Sequence, residues 1–130
     1  MKRQDAFNIV WNHFVVNKGK PSVDRDSISC LYRGEAGAKC AIGVLLPDKN
    51  YEKSLEGEEL EFVASLIPGL RVKENLGFLR QLQQAHDDAS DKNDGIADAK
   101  YEIADVKTFR KNIKVKLTEL AENWKLKIPA

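Results

Sequence analysis

The sequence predicts a mainly α-helical domain (α+β), with about four helices packed in one core and one small β-hairpin near residues 29–41. Apolar residues recur every three or four positions on both sides of that region, which is the spacing of a buried helix face. The stretch 29–57 breaks this pattern and holds both cysteines and half of the eight glycines. A chain of 130 residues with no repeat or long linker is expected to form a single domain, 1–130.

The first and last helices have the clearest signals. The first is predicted over about 4–17 and ends at Gly19, with Pro21 behind it. Its apolar face consists of Ala6, Phe7, Val10, Trp11, Phe14 and Val15. The last begins after Asp105, a side chain suited to capping a helix N-terminus. Its apolar face consists of Val106, Phe109, Ile113, Leu117, Leu120 and Trp124.

Two more apolar stripes lie in the middle of the chain. The second stripe, ended by Pro68, consists of Leu60, Val63, Ala64 and Ile67. The third consists of Val72, Leu76, Leu79, Leu82 and His86. The segment 88–98 has almost no apolar content and is predicted to be an exposed loop.

The interrupted region carries turn signals. Residues 30–32 and 39–41 flank the turn sequence 34–37, which predicts the hairpin, and residues 20–29 are predicted to be a loop. The apolar run 42–46 is compatible with a strand or a helical turn. Since Ala41 and Gly43 are poor strand residues, we favour a short helix that begins near Cys40 and stops at Pro47.

Charge and hydropathy exclude some partners. The net charge of +1, from 21 basic and 20 acidic residues, gives no strong overall attraction to nucleic acid or to an anionic membrane. No apolar run approaches the roughly 20 residues of a membrane span, and the N-terminus resembles an amphipathic helix rather than a signal peptide. We therefore expect a cytoplasmic protein with no membrane partner.

A cytoplasmic location favours free thiols at Cys30 and Cys40, with a redox-dependent disulfide across the hairpin as the alternative. The same two residues with His13 and His86 make one conceivable zinc set. This set is not favoured, because paired ligands in structural zinc sites are usually about two to four residues apart. No metal or other cofactor is expected.

A thiol-dependent enzyme is one functional hypothesis. Cys40 at the start of a short helix, beside Lys39, would have a stabilised thiolate. His86 could then act as the base, oriented by Asp87 or Asp48. The simpler alternative is that Cys40 packs in the core and that His86 is a structural histidine bonded to Asp87.

A second group of candidates lies around the hairpin. Arg33 could form a forked ion pair with Asp48 or Glu56 that fixes the hairpin to the helix, or it could bind a ligand phosphate or carboxylate. Tyr32 and Tyr51 lie near the same loop, and tyrosine and arginine are frequent anchors of protein interfaces.

The last helix has a basic face opposite its apolar stripe, formed by Lys107, Arg110, Lys111 and Lys114. Such a face could lie along phosphates, although Glu119 and Glu122 follow it and no aromatic residue interleaves to stack on bases. A solvated helix face is the simpler interpretation.

The block 30–57 resembles a small family of uncharacterised proteins of bacteria and their phages. The resemblance rests on Cys30-Leu31-Tyr32-Arg33-Gly34, Lys39-Cys40-Ala41-Ile42-Gly43, Leu46-Pro47-Asp48, Tyr51 and Glu56-Gly57, and on the later pairs Leu82-Gln83 and His86-Asp87. A wider set of small bacterial proteins shows a similar Gly-x-x-Cys-Ala-x-Gly element, here 37–43. The resemblance implies that the cysteine, arginine, aspartate and histidine belong together.

The leading expectation is a non-enzymatic interaction protein, a phage or mobile-element accessory that binds a host protein through Tyr32, Arg33, Asp48, Tyr51 and Glu56. The alternatives are a small hydrolase or transferase that uses Cys40, His86 and Asp87, and a nucleic-acid binder that uses the basic face of the last helix. A small-molecule ligand is compatible with the first two hypotheses.

Overall fold

The computed structural model describes residues 1–129 and shows a mainly α-helical fold with a small antiparallel hairpin, which confirms the predicted fold class. The helices are α1 (Arg3–Trp11), α2 (Ala41–Leu45), α3 (Leu60–Ala64), α4 (Val72–Ala89) and α5 (Val106–Asn123). The strands are β1 (Val23–Asp24) and β2 (Ser29–Cys30). Short 3₁₀ turns cover Glu35–Gly37, Asp48–Asn50 and Lys53–Leu55.

The two long helices α4 and α5 pack along each other, and α1 and α2 close the core against them. The centre contains large buried side chains from each of these helices, including Phe7, Ile42, Phe78, Leu82 and Phe109. The periodic apolar stripes therefore point inward, as their spacing predicts, except at Val106, which is exposed. No helix in residues 1–129 combines the length and the apolar character needed to cross a membrane.

The first helix has the predicted extent but changes its geometry. After Trp11 it continues as a π-helical turn, Asn12–Val16, and the N–H of Gly19 then donates to the carbonyl of His13 at 2.8 Å. An imidazole lies against the end of this turn, because a Cβ on Gly19 would meet His13 Nε2 at 2.4 Å. Close packing against His13 thus favours glycine at position 19.

The hairpin lies earlier than predicted. Its strands pair Val23 with Cys30 and Asp24 with Ser29, so the first strand falls within the segment predicted to be a loop. The expected partner segment 39–41 contributes only an isolated antiparallel bridge between Lys39 and Arg33. The run 42–46 is helical through Leu45, as favoured, and Cys40 is the N-cap residue of α2.

Two other predicted boundaries change. Helix α4 extends through Ala89, and both Ala89 and Ser90 are buried, so the exposed loop begins after them and not at residue 88. Helix α3 ends at Ala64 although Ile67 is buried with its stripe. At α5 the predicted cap is confirmed, since Asp105 Oδ1 accepts the N–H of Thr108 at 2.7 Å.

Candidate functional site

The five residues predicted to bind a partner lie together and are called here the Arg33 patch: Tyr32, Arg33, Asp48, Tyr51 and Glu56. The Arg33 guanidinium donates to Asp48 Oδ1 at 2.5 Å and to the carbonyl of Leu46 at 2.6 Å. Its carbon lies 5.2 Å from the centre of the Tyr51 ring, within cation–π range. The guanidinium is therefore held from three directions.

Glu56 fixes the backbone beneath this guanidinium. Its Oε1 accepts the N–H of Tyr32 at 2.8 Å, and its Oε2 accepts the N–H of Arg33 at 3.0 Å and the hydroxyl of Tyr51 at 2.8 Å. Tyr32 also donates its hydroxyl to the carbonyl of Glu58 at 2.9 Å. The sequence left open whether Asp48 or Glu56 pairs with Arg33. In the structure the Arg33 guanidinium donates to Asp48, whereas Glu56 accepts the backbone N–H groups of Tyr32 and Arg33.

A glycine allows the patch to rest directly on α2. A Cβ at Gly43 would lie 2.0 Å from the carbonyl oxygen of Tyr32, so only glycine permits this approach. The side chain of Cys40 stabilises the first turn of the same helix by accepting the N–H of Gly43 at 3.4 Å. These contacts explain locally why a Cys-Ala-x-Gly sequence follows the loop that carries Arg33.

The electrostatics of the patch follow from these bonds. The hydrogen bond and charge of Arg33, with a further contribution from Lys39, lower the pKa of Asp48. Burial and the bond to Glu56 raise the pKa of Tyr51 to about 12, and burial raises the pKa of Tyr32. At neutral pH the patch therefore has a charged Asp48 and two neutral tyrosines.

The candidate nucleophile Cys40 is fully buried, where it caps α2 and contributes to the core. The thiol that lies near the histidine is Cys30. Its Sγ and suitable ligand atoms of His86 and Asp87 all lie within 4.8 Å of one another. Hydrogen-bonding contact with Cys40, together with burial, raises the pKa of Cys30, which keeps that thiol protonated. Both cysteines are free.

His86 is completely buried, between Phe14 and Phe109, with both ring centres 5.7 Å from its own. Its Nε2 receives the N–H of Ser22 at 3.0 Å, and its Nδ1 lies 3.0 Å from Asp87 Oδ1. A backbone N–H can only donate, so Nε2 is the unprotonated nitrogen and Nδ1 carries the proton to Asp87. This hydrogen-bond network assigns one neutral tautomer.

That tautomer is unsuited to catalysis or metal binding at Cys30. To take a proton from the thiol, or to bind a metal, Nδ1 must first lose its own proton. A neutral ring would then carry the proton on Nε2, facing the N–H donor of Ser22 inside the core, and leaving buried donors unpaired is costly. The arrangement therefore favours a structural histidine.

Gln83 is a member of this cluster that residue-type reasoning did not single out. Its amide donates to Cys30 Sγ at 2.8 Å and to Asp87 Oδ1 at 3.0 Å, while its oxygen accepts the N–H of Ile42 at 3.2 Å. It thus connects α4, α2 and the hairpin. A glutamine on a helix has no distinctive pattern, and the resemblance noted above was the only signal that included it.

The basic residues of α5, Lys107, Arg110, Lys111 and Lys114, are all exposed. None of them lies within 4.0 Å of a carboxylate in the described part of the chain, whereas their neighbour Lys116 pairs with Asp94 at 2.9 Å. The predicted basic face is therefore present as a surface.

A cleft lined by 20–26, 31, 35–38 and 103–106 was not anticipated. The one available signal was Val106, which begins the apolar stripe of α5 yet is exposed at the cleft. The sequence gives no periodicity in the other lining segments.

No protein-family model, no curated protein and no solved structure matches this chain. The resemblance to bacterial and phage proteins therefore stays a prediction.

Proposed function

We propose that this protein is a non-enzymatic interaction protein that binds a partner protein through the Arg33 patch. One observation carries the proposal: the Arg33 guanidinium is fixed on three sides next to Asp48, whose side chain is 84% exposed. Arg33 itself is only 16% exposed, so its position is set before any partner arrives. Preorganised polar groups lose little entropy on binding.

The surface of the patch offers a defined contact chemistry. Asp48 Oδ1 receives Arg33, but Oδ2 has no hydrogen-bond partner within residues 1–129, and Lys39 Nζ lies 3.8 Å from Oδ1. A partner that presents a hydrogen-bond donor to Oδ2, with an apolar surface for the tyrosine ring, would complete the arrangement. The resemblance to phage and bacterial proteins makes a bacterial host protein the proposed partner class.

The experiment compares capture of bacterial proteins by the immobilised wild type, Asp48→Asn and Glu52→Gln. Asp48→Asn keeps an acceptor for Arg33 but replaces the open carboxylate oxygen with a donor. Glu52→Gln makes the same charge change at a neighbouring exposed site and is the matched control. We expect Asp48→Asn to lose at least about tenfold in affinity for a partner that Glu52→Gln retains, with both variants melting near the wild type. Equal capture by both variants would contradict the proposal.

The enzyme hypothesis is distinguished by thiol chemistry. Because Cys40 is buried and the pKa of Cys30 is raised, we expect alkylation of the native protein to be slow at both thiols and to become fast only on unfolding. Rapid alkylation of native Cys40, at a rate that rises with pH well below the ordinary pKa of a cysteine thiol, would favour the enzyme hypothesis instead.

The exposed basic face supports a second candidate function, nucleic-acid binding. Four cations on one helix face, with no carboxylate partner within residues 1–129, can contact phosphates, and such binding weakens steeply with salt. The test compares the wild type with the double variant Arg110→Glu, Lys111→Glu. The affinity of each protein for duplex DNA and for single-stranded RNA is measured. Binding that is absent at low salt, or unchanged in the double variant, would rule this function out.

A further inference from the structure

The cleft on the hairpin side of the molecule has a volume of about 780 Å³. This lies in the range of about 300–1,000 Å³ that is common for ligand sites. It is lined by the segments 20–26, 35–38 and 103–106 together with Leu31, and it includes no residue of the Arg33 patch. Any binding here is thus separate from the function proposed above.

One wall of the cleft is the free edge of β1. The N–H of Leu31 donates to the carbonyl of Ser22 at 3.1 Å, which makes Val23 and Cys30 a pair that does not exchange hydrogen bonds. The N–H and C=O of Val23 therefore point away from β2. They have no hydrogen-bond partner within residues 1–129. Val23 is a free strand edge on the wall of a cleft.

The segment 103–106 on another wall has the same property. Lys92 N–H donates to Glu102 at 2.7 Å and Ala104 N–H donates to Ser90 at 2.8 Å, on either side of the bridge between Ile103 and Asp91. Ile103 is thus also in a pair without mutual hydrogen bonds, and its N–H and C=O point away from Asp91. Two extended segments in one cleft therefore each have unpaired backbone groups.

The loop 35–38 completes the cleft and is itself firmly held. Gly34 N–H donates to the carbonyl of Ala38 at 2.8 Å, and the bridge between Arg33 and Lys39 closes the base of the loop. Small and apolar side chains, among them Leu31 and Ala38, line this part. Ala36 and Ala38 present only methyl groups here, beside the larger side chains of Leu31 and Glu35.

We propose that this cleft binds an extended peptide segment of a protein, which adds as a strand to the free edge of β1, with Ile103 offering further backbone partners. Main-chain hydrogen bonds supply affinity in this mode of recognition, and the alternate side chains supply specificity. The peptide is expected to carry a basic side chain, because four carboxylates line the cleft against two cations: Asp24, Asp26, Glu35 and Asp105 against Lys20 and Arg25.

The charges next to β1 also disfavour pairing of this edge with the same edge of another copy of the chain. Charged residues flanking a strand edge oppose uncontrolled strand pairing. Here Asp24, Arg25 and Asp26 directly follow Val23. They would admit a segment of complementary charge and disfavour an identical edge.

The test is a selection for binding to this protein from a displayed library of short peptides. In these peptides β-branched residues alternate with randomised positions. The selected peptide is then titrated into the full-length protein and followed by the backbone amide signals. We expect enrichment of Lys or Arg, a shift of the Val23 amide signal, and at least about a tenfold loss of affinity when alternate peptide amides are N-methylated. No enrichment, equal affinity of the N-methylated peptide, or an unshifted Val23 amide would each overturn the proposal.

Val23→Pro with Val23→Thr as its control gives an independent check. Proline removes only the outward N–H of the edge, a position where strands tolerate it, whereas threonine keeps the N–H and the β-branched shape. Val23→Pro should bind the selected peptide at least about tenfold more weakly than Val23→Thr. Equal binding by two folded variants would also overturn the proposal. If Val23→Pro does not fold, the N-methylated peptide and the Val23 amide still decide the outcome.

Discussion

The Nε2 atom of His86 accepts the backbone N–H of Ser22 at 3.0 Å, deep in the core and 64 positions apart in the sequence. This bond connects the segment before β1 to the last turns of α4. It also fixes the neutral tautomer of His86, with the proton on Nδ1 toward Asp87. The residue type that first suggests catalysis is therefore a structural link between the hairpin and the helical core.

Replacing His86 by Phe should destabilise the fold. The ring would still fit between Phe14 and Phe109, but the N–H of Ser22 would lose its acceptor, at an expected cost of about 1–3 kcal/mol in the free energy of unfolding. Asp87→Asn is the control, since an amide oxygen can still accept from Nδ1. Urea denaturation of both variants checks this, and a His86→Phe protein as stable as Asp87→Asn would show that the bond contributes little.

Glu56 should tolerate no change of its carboxylate. In Glu56→Gln one oxygen becomes an NH₂ group that must face at least one of the donors from Tyr32, Arg33 or Tyr51. We expect a loss of about 1–3 kcal/mol in unfolding free energy, exceeding the loss in Tyr51→Phe, which removes a single bond. Thermal and urea unfolding show which variant loses more stability. A larger loss in Tyr51→Phe than in Glu56→Gln would mean that the backbone N–H groups find other partners.

Alanine substitutions at two glycines should have opposite effects on the stability of the fold. At Gly43 the new Cβ would meet the Tyr32 carbonyl at 2.0 Å, so Gly43→Ala must push the loop away from α2, with an expected cost of about 1–3 kcal/mol. At Gly77, inside α4, an added Cβ would have no atom of residues 1–129 within 4 Å apart from the local helix backbone, and Gly77→Ala should stabilise the fold by about 0.5–1 kcal/mol. Melting temperatures of the two variants give the signs directly.

Stability should decrease in mildly acidic solution because of His13. Burial, with a smaller contribution from the nearby charge of Lys39, lowers the pKa of His13 below its ordinary value of 6.5. The unfolded chain therefore binds this proton more readily than the folded protein does. The stability contribution of neutral His13 is complete above pH 6.5 and is lost as the pH falls from 6.5 toward the lower folded-state pKa.

His13→Gln cannot titrate in this range and is the matched variant. Between about pH 7.5 and about pH 5.5, the melting temperature of the wild type should fall more than that of His13→Gln. The variant keeps any pH dependence that comes from other groups, so the difference between the two curves isolates His13. Parallel curves would contradict the lowered pKa.

The sequence predicted the elements whose signal is periodic. The stripes that form α1, α4 and α5 face the core as expected, except that Val106 is exposed, and the cap at Asp105 is present. The hairpin was misplaced because β1 and β2 have two residues each, too few for any alternation, and β1 lies in a charged segment. The end of α4 was missed because tertiary burial of Ala89, not local polarity, extends the helix.

Contacts of the candidate site between two side chains could be predicted from the sequence, whereas contacts with backbone groups could not. Opposite charges near the loop limit the partner of Arg33 to Asp48 or Glu56, and in the structure it is Asp48. The bonds of Glu56 to the N–H groups of Tyr32 and Arg33, and of His86 to the N–H of Ser22, do not follow from the sequence, because every residue except proline carries such a donor. The outward-facing N–H and C=O groups of Val23 and Ile103 could not be predicted from the sequence for the same reason.

The most direct test of the proposed function is the hydrogen-exchange footprint of a captured bacterial partner on this protein. Contact through the Arg33 patch should slow amide exchange in 33–39 and 48–51 in the complex and leave α5 unchanged. The same protection should weaken in Asp48→Asn and persist in Glu52→Gln. Protection confined to the basic face of α5, or no change at 48–51, would contradict the account and move the binding surface away from Arg33.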